Sequence, residues 1–509
     1  MSEENKQVSR RDFLKVAGLA AAAVQTGGMV AGGIAAGKNS ETYTGWESSN
    51  PATQSFNRKP FEVAYPNFTP VAEVRRPSHL TDYVFGRVAT FDAALQENPD
   101  WTIDDPIEDL GFPPPLVAFY EKFPERLEWD YKTFTETIPN NQKDRAVYGS
   151  YTALADVYSA GWTVITPPSP TEPPEVSDFT LADRRGASPI PVDDPLKFKS
   201  PALAAEFIKN MAHLYGATVV GITKANKDWM YGDGWRGTDH DYDHSEMPEH
   251  WQYAICIGVP MEWDVLLGNP QLGTSYDAYA RVSITAARLE GALKYMGYPS
   301  RANTPLSGYD LICPPYMVDA GVGEHCRAGY VITPEVGSNF RTAVVLTNLE
   351  MEIDKPIEFG VKEFCEKCKI CAEQCPSGAI SMADSYEGLE IRGYEHWYIN
   401  NGACYNFWRE SMGPMGCRLC VANCPYSRKD NWLHDVAKQV DPRDPTGAFS
   451  SALLWMQNTF FEHPEALDYR RPEAGGGFAS YRPEPFYLHA EDYLDMDITP
   501  FPYAEERGD

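Results

Sequence analysis

The chain has 509 residues, enough for two or three domains around a large core, and 43% of them are hydrophobic. Its 72 Asp and Glu outweigh 44 Lys and Arg, for a formal charge of -28 at pH 7. Such a balance repels nucleic acid and anionic lipid, so neither is expected as a direct partner.

The N-terminus carries an address. Ser9-Arg10-Arg11-Asp12-Phe13-Leu14-Lys15 reads as a twin-arginine export signal within residues 1–37, and an Ala/Gly stretch follows from Val16 to about Gly37. That stretch lacks the bulk of a transmembrane helix. A small-residue cleavage site is expected near Ala35 or Ala36. The twin-arginine route carries folded chains, which suits a protein that takes up its cofactors before export. No other segment is apolar enough to span a bilayer, so membrane attachment requires a partner.

Residues 38–195 read as an irregular region rich in proline and aromatic residues. Pro113-Pro114-Pro115 and the run from Thr166 to Pro174 punctuate it as surface turns. Trp46, Trp101, Trp129 and Trp162 are expected in the core, and no chemical motif stands out.

Residues 196–356 change to alternating helix and strand. Ala202 to Tyr215 predicts an amphipathic helix with Leu203, Phe207, Met211 and Leu214 at helical spacing. Strands are expected at Ala217 to Ile222, Gln252 to Val259 and Arg341 to Leu349. A second long helix runs from Tyr279 to Met296 and stops at Gly297. The result is an α+β class chain with an α/β core of about 160 residues. Asp239 to Glu246, with His240 and His244, has the composition of a metal site but equally that of a solvated acidic loop. No phosphate-binding glycine loop is present, so nucleotide chemistry has no support.

Residues 357–430 hold the strongest signal. Cys365, Cys368, Cys371 and Cys375 stand as C-x2-C-x2-C-x3-C before Pro376, and Cys404, Cys417, Cys420 and Cys424 as C-x12-C-x2-C-x3-C before Pro425. This is the bacterial two-cluster iron–sulfur spacing, in which the fourth cysteine of a run serves the other cluster. Cys365, Cys368, Cys371 and Cys424 are therefore assigned to one 4Fe–4S centre. Cys375, Cys404, Cys417 and Cys420 are assigned to the other. Zinc and disulfides are the alternatives, but a zinc site needs only four ligands and has no use for two Cys-Pro endings. The remaining Cys256, Cys313 and Cys326 read as ordinary buried thiols. Residues 431–509 form a C-terminal extension.

With these residues in place, the chain resembles the corrinoid-dependent respiratory reductive dehalogenase family. The resemblance rests on the export signal, Lys294-Tyr-Met-Gly-Tyr298, Ala320 to Arg327, Ile332 to Arg341, Asp354 to Cys365 and both cysteine runs. It covers roughly Lys197 to Tyr426 and is weak over residues 38–195. It implies a nitroreductase-like α/β core holding a base-off corrinoid (cobamide), joined to a ferredoxin-like unit with two 4Fe–4S clusters. The D-x-H-x-x-G signature of other cobalamin proteins is absent, so the corrinoid is implied by the family alone. Its candidate contacts are Gly321, Gly323, Glu324, Arg327, Thr333, Pro334 and Gly337. By the same resemblance Tyr279 is the proton donor, with Tyr276 one helical turn away as the fallback. Arg341 stabilises the donor's anion, Asn303 is the nearest match to the family's asparagine, and Trp408 is a pocket candidate. The implied partners are an organohalide substrate, a low-potential electron donor and a small membrane-anchor protein. The implied location is the outer face of the cytoplasmic membrane. Two other readings stay open: an exported iron–sulfur electron carrier, and an enzyme like epoxyqueuosine reductase, whose RNA substrate sits poorly with so acidic a chain.

Overall fold

The computed structural model describes residues 61–66, 68, 77–139, 194–232, 251–261, 266, 272–305, 309–387, 394–412, 417–427, parts of 437–460, and 493. The export signal, Trp46, Trp162, the Thr166–Pro174 run and the acidic His240/His244 loop lie outside them.

The centre is a four-stranded antiparallel sheet. After the short β1 (Phe61–Glu62) come β2 (Val219–Lys224), β3 (Tyr253–Pro260), β4 (Ser300–Asn303), β5 (Glu324–His325), β6 (Val331–Ile332), β7 (Phe340–Thr347) and β8 (Ile357–Glu358). The main sheet has the order β2-β3-β7-β4. Cys256 faces Gly221 on one side and Val344 on the other. Strand β3 is buried along nearly its whole length, as an apolar run covered on both faces must be. Ile255 and Ile257 point to one face, where helices α4 (Pro201–Tyr215) and α5 (Leu272–Tyr295) supply Ile208, Val282, Leu289 and Leu293. Ala254 and Cys256 point to the other, against Trp229 and the Tyr316 and Met317 of α6 (Cys313–Asp319). The chain is α+β, with the nitroreductase-like core and ferredoxin-like unit that the sequence implied.

Helix α4 starts where Ser200 caps it, accepting from Leu203 N–H at 3.3 Å with Pro201 in the first turn, and Gly216 ends it at φ +118°. Its buried face differs from the expected one. Leu203, Phe207 and Leu214 are exposed, while Ala204, Ala205, Ile208 and Ala212 pack on the sheet. Small side chains let the helix backbone lie close to the strands, and a search for large apolar residues at helical spacing selects the wrong stripe. Helix α5 also begins earlier than Tyr279, so Ser275, Tyr276 and Tyr279 all lie on one helix.

Among its described residues the region read as irregular forms the helices α1 (Val84–Glu97), α2 (Pro114–Lys122) and α3 (Pro124–Lys132). Pro114 and Pro115 occupy the first positions of α2 and Pro124 opens α3, where the missing N–H costs nothing. Pro114 and Pro115, expected as turn punctuation, are helix starts. Phe91, Trp101, Leu110, Phe112, Leu116 and Tyr120 form the core of this unit. Trp129, expected inside, is on the surface under the Arg126 guanidinium. A buried Arg87–Asp130 pair at 2.9 Å, with Tyr120 OH donating to Asp130 at 2.8 Å, ties α1 to α3.

The cysteine-rich segment carries Cys365 on α7 (Val361–Lys367), Cys371 on α8 (Ile370–Glu373), Cys404 on α9 (Asn401–Phe407) and Cys420 on α10 (Leu419–Ala422). In the C-terminal extension, α11 (Ala448–Phe460) lays Leu453 and Leu454 against Phe364 and Ile370. Among the described residues no helix is long and apolar enough to cross a membrane.

Candidate functional site

The seam between the α/β core and the cysteine-rich segment is built from residues singled out as corrinoid contacts. The Glu324 carboxylate accepts from the N–H groups of Phe359 (2.5 Å) and Val361 (3.2 Å). Arg327, fully buried over the Trp397 ring, donates to the carbonyls of Cys365, Ser381 and Ala383. Gly337 sits at φ +62°, where a Cβ would lie 2.1 Å from Tyr426 O, so only glycine admits that approach. Gly323 is held equally close to Ile332 O, and Gly321, at φ +66°, to Lys355 O. Thr333 pairs with Gly337 and takes the Val336 N–H on its hydroxyl. Glu324, Arg327 and Gly337 thus join the core to the cysteine-rich segment, while Gly321, Gly323 and Thr333 make their contacts within the core. The same stretch lines a cavity through His325, Ala328, Gly329 and Tyr330 instead.

That cavity, about 150 Å³, is closed on its other side by Cys375, Cys404, Cys417 and Cys420, with Trp408 and Phe407 at its margin. The thiols act on one another in two sets. Burial pushes the Cys371 thiol up, and Cys365, Cys326, Cys424 and Cys368 push it further. Cys404 is pushed up to about 12 by burial, then by Cys420 and Cys375, and Cys417 is raised by burial, Cys420 and Cys404. Bare thiolates gathered this way would repel in a medium that does not solvate them, and a cationic iron–sulfur core removes that conflict. Among the described residues no three His, Cys, Asp or Glu are close enough to hold a single metal ion. A cubane cluster spreads its ligands wider than one ion does, so the donor set fits the cluster. Cys326 is buried among both sets, acted on by Cys424 and Cys420. Cys256 and Cys313 are buried in the core.

Tyr279 and Arg341, the candidate proton-handling residues, lie where α5, β7 and the start of α10 converge. The Arg341 guanidinium stands 5.3 Å from the Tyr279 ring centroid. Its Nη2 donates to Ser275 Oγ at 2.8 Å and its Nη1 to Phe340 O at 3.1 Å. Burial works to raise the Tyr279 phenol, but the Arg341 and Arg418 charges outweigh it, and the net shift is downward. Tyr276, one turn away with its ring 6.2 Å from that of Tyr279, shifts the other way: burial and Tyr279 raise it against weaker help from Arg418 and Arg409. The two tyrosines therefore differ in chemistry although sequence alone leaves them interchangeable. Asn303 is buried, but its hydrogen bonds stay in the 301–310 segment, where its Oδ1 accepts from Asp310 N–H at 3.1 Å.

Arg418 and Ser275 were not expected. In the string Cys417-Arg418-Leu419-Cys420 an arginine reads as filler between ligands. Ser275 stands one turn before Tyr279 on the same helix face, and that i, i+4 relation was the available signal.

The fold and the cysteine-lined site define an α+β protein with an iron–sulfur segment of two-cluster type. The model of the 4Fe-4S dicluster domain family matches residues 364–427. The tetrachloroethene reductive dehalogenase of Sulfurospirillum multivorans is 30% identical over 292 residues, 51% of this chain and 57% of that protein. The solved catabolic reductive dehalogenase NpRdhA superposes with a TM-score of 0.54 at 18% identity, over 84% of this chain and 53% of that one. A reductive dehalogenase structure described as suggesting a mechanism for B12-dependent dehalogenation gives 0.53 at 18% identity, with the same coverage. The chain spans a little over half the length of these relatives. It is related to the reductive dehalogenases, as its sequence motifs indicated.

Proposed function

We propose that the protein removes halide from an organohalide by reduction: the substrate takes up two electrons and one proton and leaves as the hydrogenated product and a halide ion. The observation that carries this reading is Tyr279 set against Arg341, which Ser275 and Arg418 link to Cys417 in the wall of a cavity lined by cluster-type cysteines. Two 4Fe–4S clusters, one on Cys365, Cys368, Cys371 and Cys424 and one on Cys375, Cys404, Cys417 and Cys420, would deliver the electrons singly. A base-off corrinoid, inferred from the family and from the relative whose structure is tied to B12, would supply the low-valent metal that breaks the carbon–halogen bond. The cavity lined by Cys375, Cys404, Cys417 and Cys420 is assigned to the second cluster.

The chain's own residues account for the proton. An ordinary tyrosine titrates near 10, too high for ready donation at neutral pH. Positive charge beside the phenol favours its anion, so the Tyr279 O–H bond breaks more easily as the proton passes to carbon. The phenolate stays against Arg341, and a proton from solvent restores it.

Export by the twin-arginine signal and residence on the outer face of the cytoplasmic membrane, with a small anchor protein and a low-potential electron donor, complete the proposal. Substrate choice among halogenated compounds is set by side chains around Trp408. The test is anaerobic purification, reconstitution with corrinoid, and a panel of organohalides with a low-potential donor, following halide release. Corrinoid uptake without halide release from any substrate, but with turnover of epoxyqueuosine RNA, would move the protein to the transfer-RNA enzyme. Full cluster loading with no corrinoid uptake would make it an electron carrier.

A further inference from the structure

We infer that Arg418 is a second guanidinium stabilising the anion of Tyr279, so that the proton donor is flanked by one arginine from the sheet and one from the cysteine-rich segment. The inference rests on the proton-donor reading of Tyr279 and adds a residue to it. Its basis is geometric. Arg418 is almost wholly buried. Its Nε donates to Ser275 Oγ at 2.5 Å, the same oxygen that Arg341 Nη2 reaches at 2.8 Å. Ser275 thereby clamps both side chains one helical turn before Tyr279. Arg418 Nη1 donates to Cys417 O at 2.5 Å, and its guanidinium lies 4.7 Å from the Trp408 ring centroid. The group is held from three sides, and rotation away from the phenol would break these contacts.

Charge balance supports the same conclusion. Among the described ion pairs none includes Arg341 or Arg418. Two buried guanidiniums without a carboxylate are costly unless an anion stands nearby. The acidic groups acting on Arg418 are Tyr279, Tyr330, Cys417 and Cys420. Arg418 is therefore shared between the donor phenol and the ligands of the second cysteine set. The titratable and charged groups acting on or lying beside Tyr279 are Arg341 from β7, Arg418 from before α10, Tyr276 from its own helix and Tyr309 from the segment before α6. None of these is a carboxylate. Both cations favour the phenolate, as the downward shift of Tyr279 requires.

The test uses the cluster-loaded chain with tyrosine isotope-labelled at the phenolic carbon, and follows the Tyr279 signal by NMR against pH. The signal is assigned by its loss in Tyr279→Phe. Arg418→Gln should move the ionisation up by about one to three pH units, the effect of removing an adjacent opposite charge. Iron content should be unchanged, and halide release should fall about a hundredfold, as for loss of one preorganised donor to a developing anion. Arg418→Lys should give a smaller upward shift, since an ammonium keeps the charge but not the planar fork. An Arg418→Gln protein with full iron whose Tyr279 ionises at the original pH overturns the inference. If Arg418→Gln loses its iron, Arg418→Lys and Ser275→Ala take its place, and no shift in either overturns it equally. The NMR readout separates this from the function itself: a wild type that releases no halide, yet shows the Arg418-dependent shift, refutes the dehalogenase reading and leaves the pairing standing.

Discussion

Replacing Tyr279 by Phe keeps the ring and removes the only proton that position can give. The structure allows the stability cost to be separated from the catalytic one. Arg341 retains Phe340 O and Ser275 Oγ as acceptors, and Arg418 retains Ser275 Oγ and Cys417 O, so neither guanidinium is left without a partner. The loss is then that of an ordinary hydrogen-bonded hydroxyl, about 1 kcal/mol. Loss of a positioned general acid costs about 10²- to 10⁴-fold in rate, or roughly 3–5 kcal/mol in the barrier. Tyr279→Phe should therefore melt within a few degrees of the parent, load clusters and corrinoid normally, and release halide at least about a hundredfold more slowly. Tyr276→Phe is the control on the same helix, and its raised phenol predicts little loss of rate. The assay is halide release under anaerobic conditions, with melting and iron content measured on the same preparations. Near-normal turnover of Tyr279→Phe would refute the reasoning. If Tyr276→Phe were dead in the same experiment, the donor would lie one turn earlier. If both variants stayed active, the proton would come from elsewhere.

Three further outcomes are expected. Cys375→Ser should damage one cluster only, so EPR and iron analysis should show one centre retained; equal loss from both would refute the partition of ligands. Glu324 ionises at about 8 rather than 4.5, because burial favours its neutral form over the two N–H groups that favour its anion. Between those values the unfolded chain releases this proton and the folded chain keeps it, so stability falls as pH rises through the window and is unaffected below it. Glu324→Gln keeps an acceptor for Phe359 and Val361, and should remove a slope worth at most on the order of 5 kcal/mol, read from melting temperature against pH. Replacing Arg10 and Arg11 together by Lys should leave loaded, active precursor in the cytoplasm, seen by fractionation; normal export would remove the twin-arginine reading.

The cysteine spacing, the acidity and the long apolar runs of the core were legible in the chain itself, because each depends on neighbours a few residues apart. A C-x2-C-x2-C-x3-C run sets its thiols by local turns, and β3 announces a strand covered on both faces by its composition. Proline position was also local information, but ambiguous: Pro114 and Pro124 mark turns or helix starts equally until the apolar partners of Phe91 and Tyr120 are known. What faces what was not legible. The α4 stripe failed because close packing on a sheet selects alanines, and the contacts of Gly337 with Tyr426 and of Arg327 with Cys365 could not be read because those partners lie far along the chain. The contrast between Tyr276 and Tyr279 belongs to the tertiary structure entirely. Both are tyrosines on one helix, and only the arrival of Arg341 from β7 and Arg418 from before α10 lowers one phenol and leaves the other raised. Electrostatic fields act through space, and sequence distance carries almost none of that information.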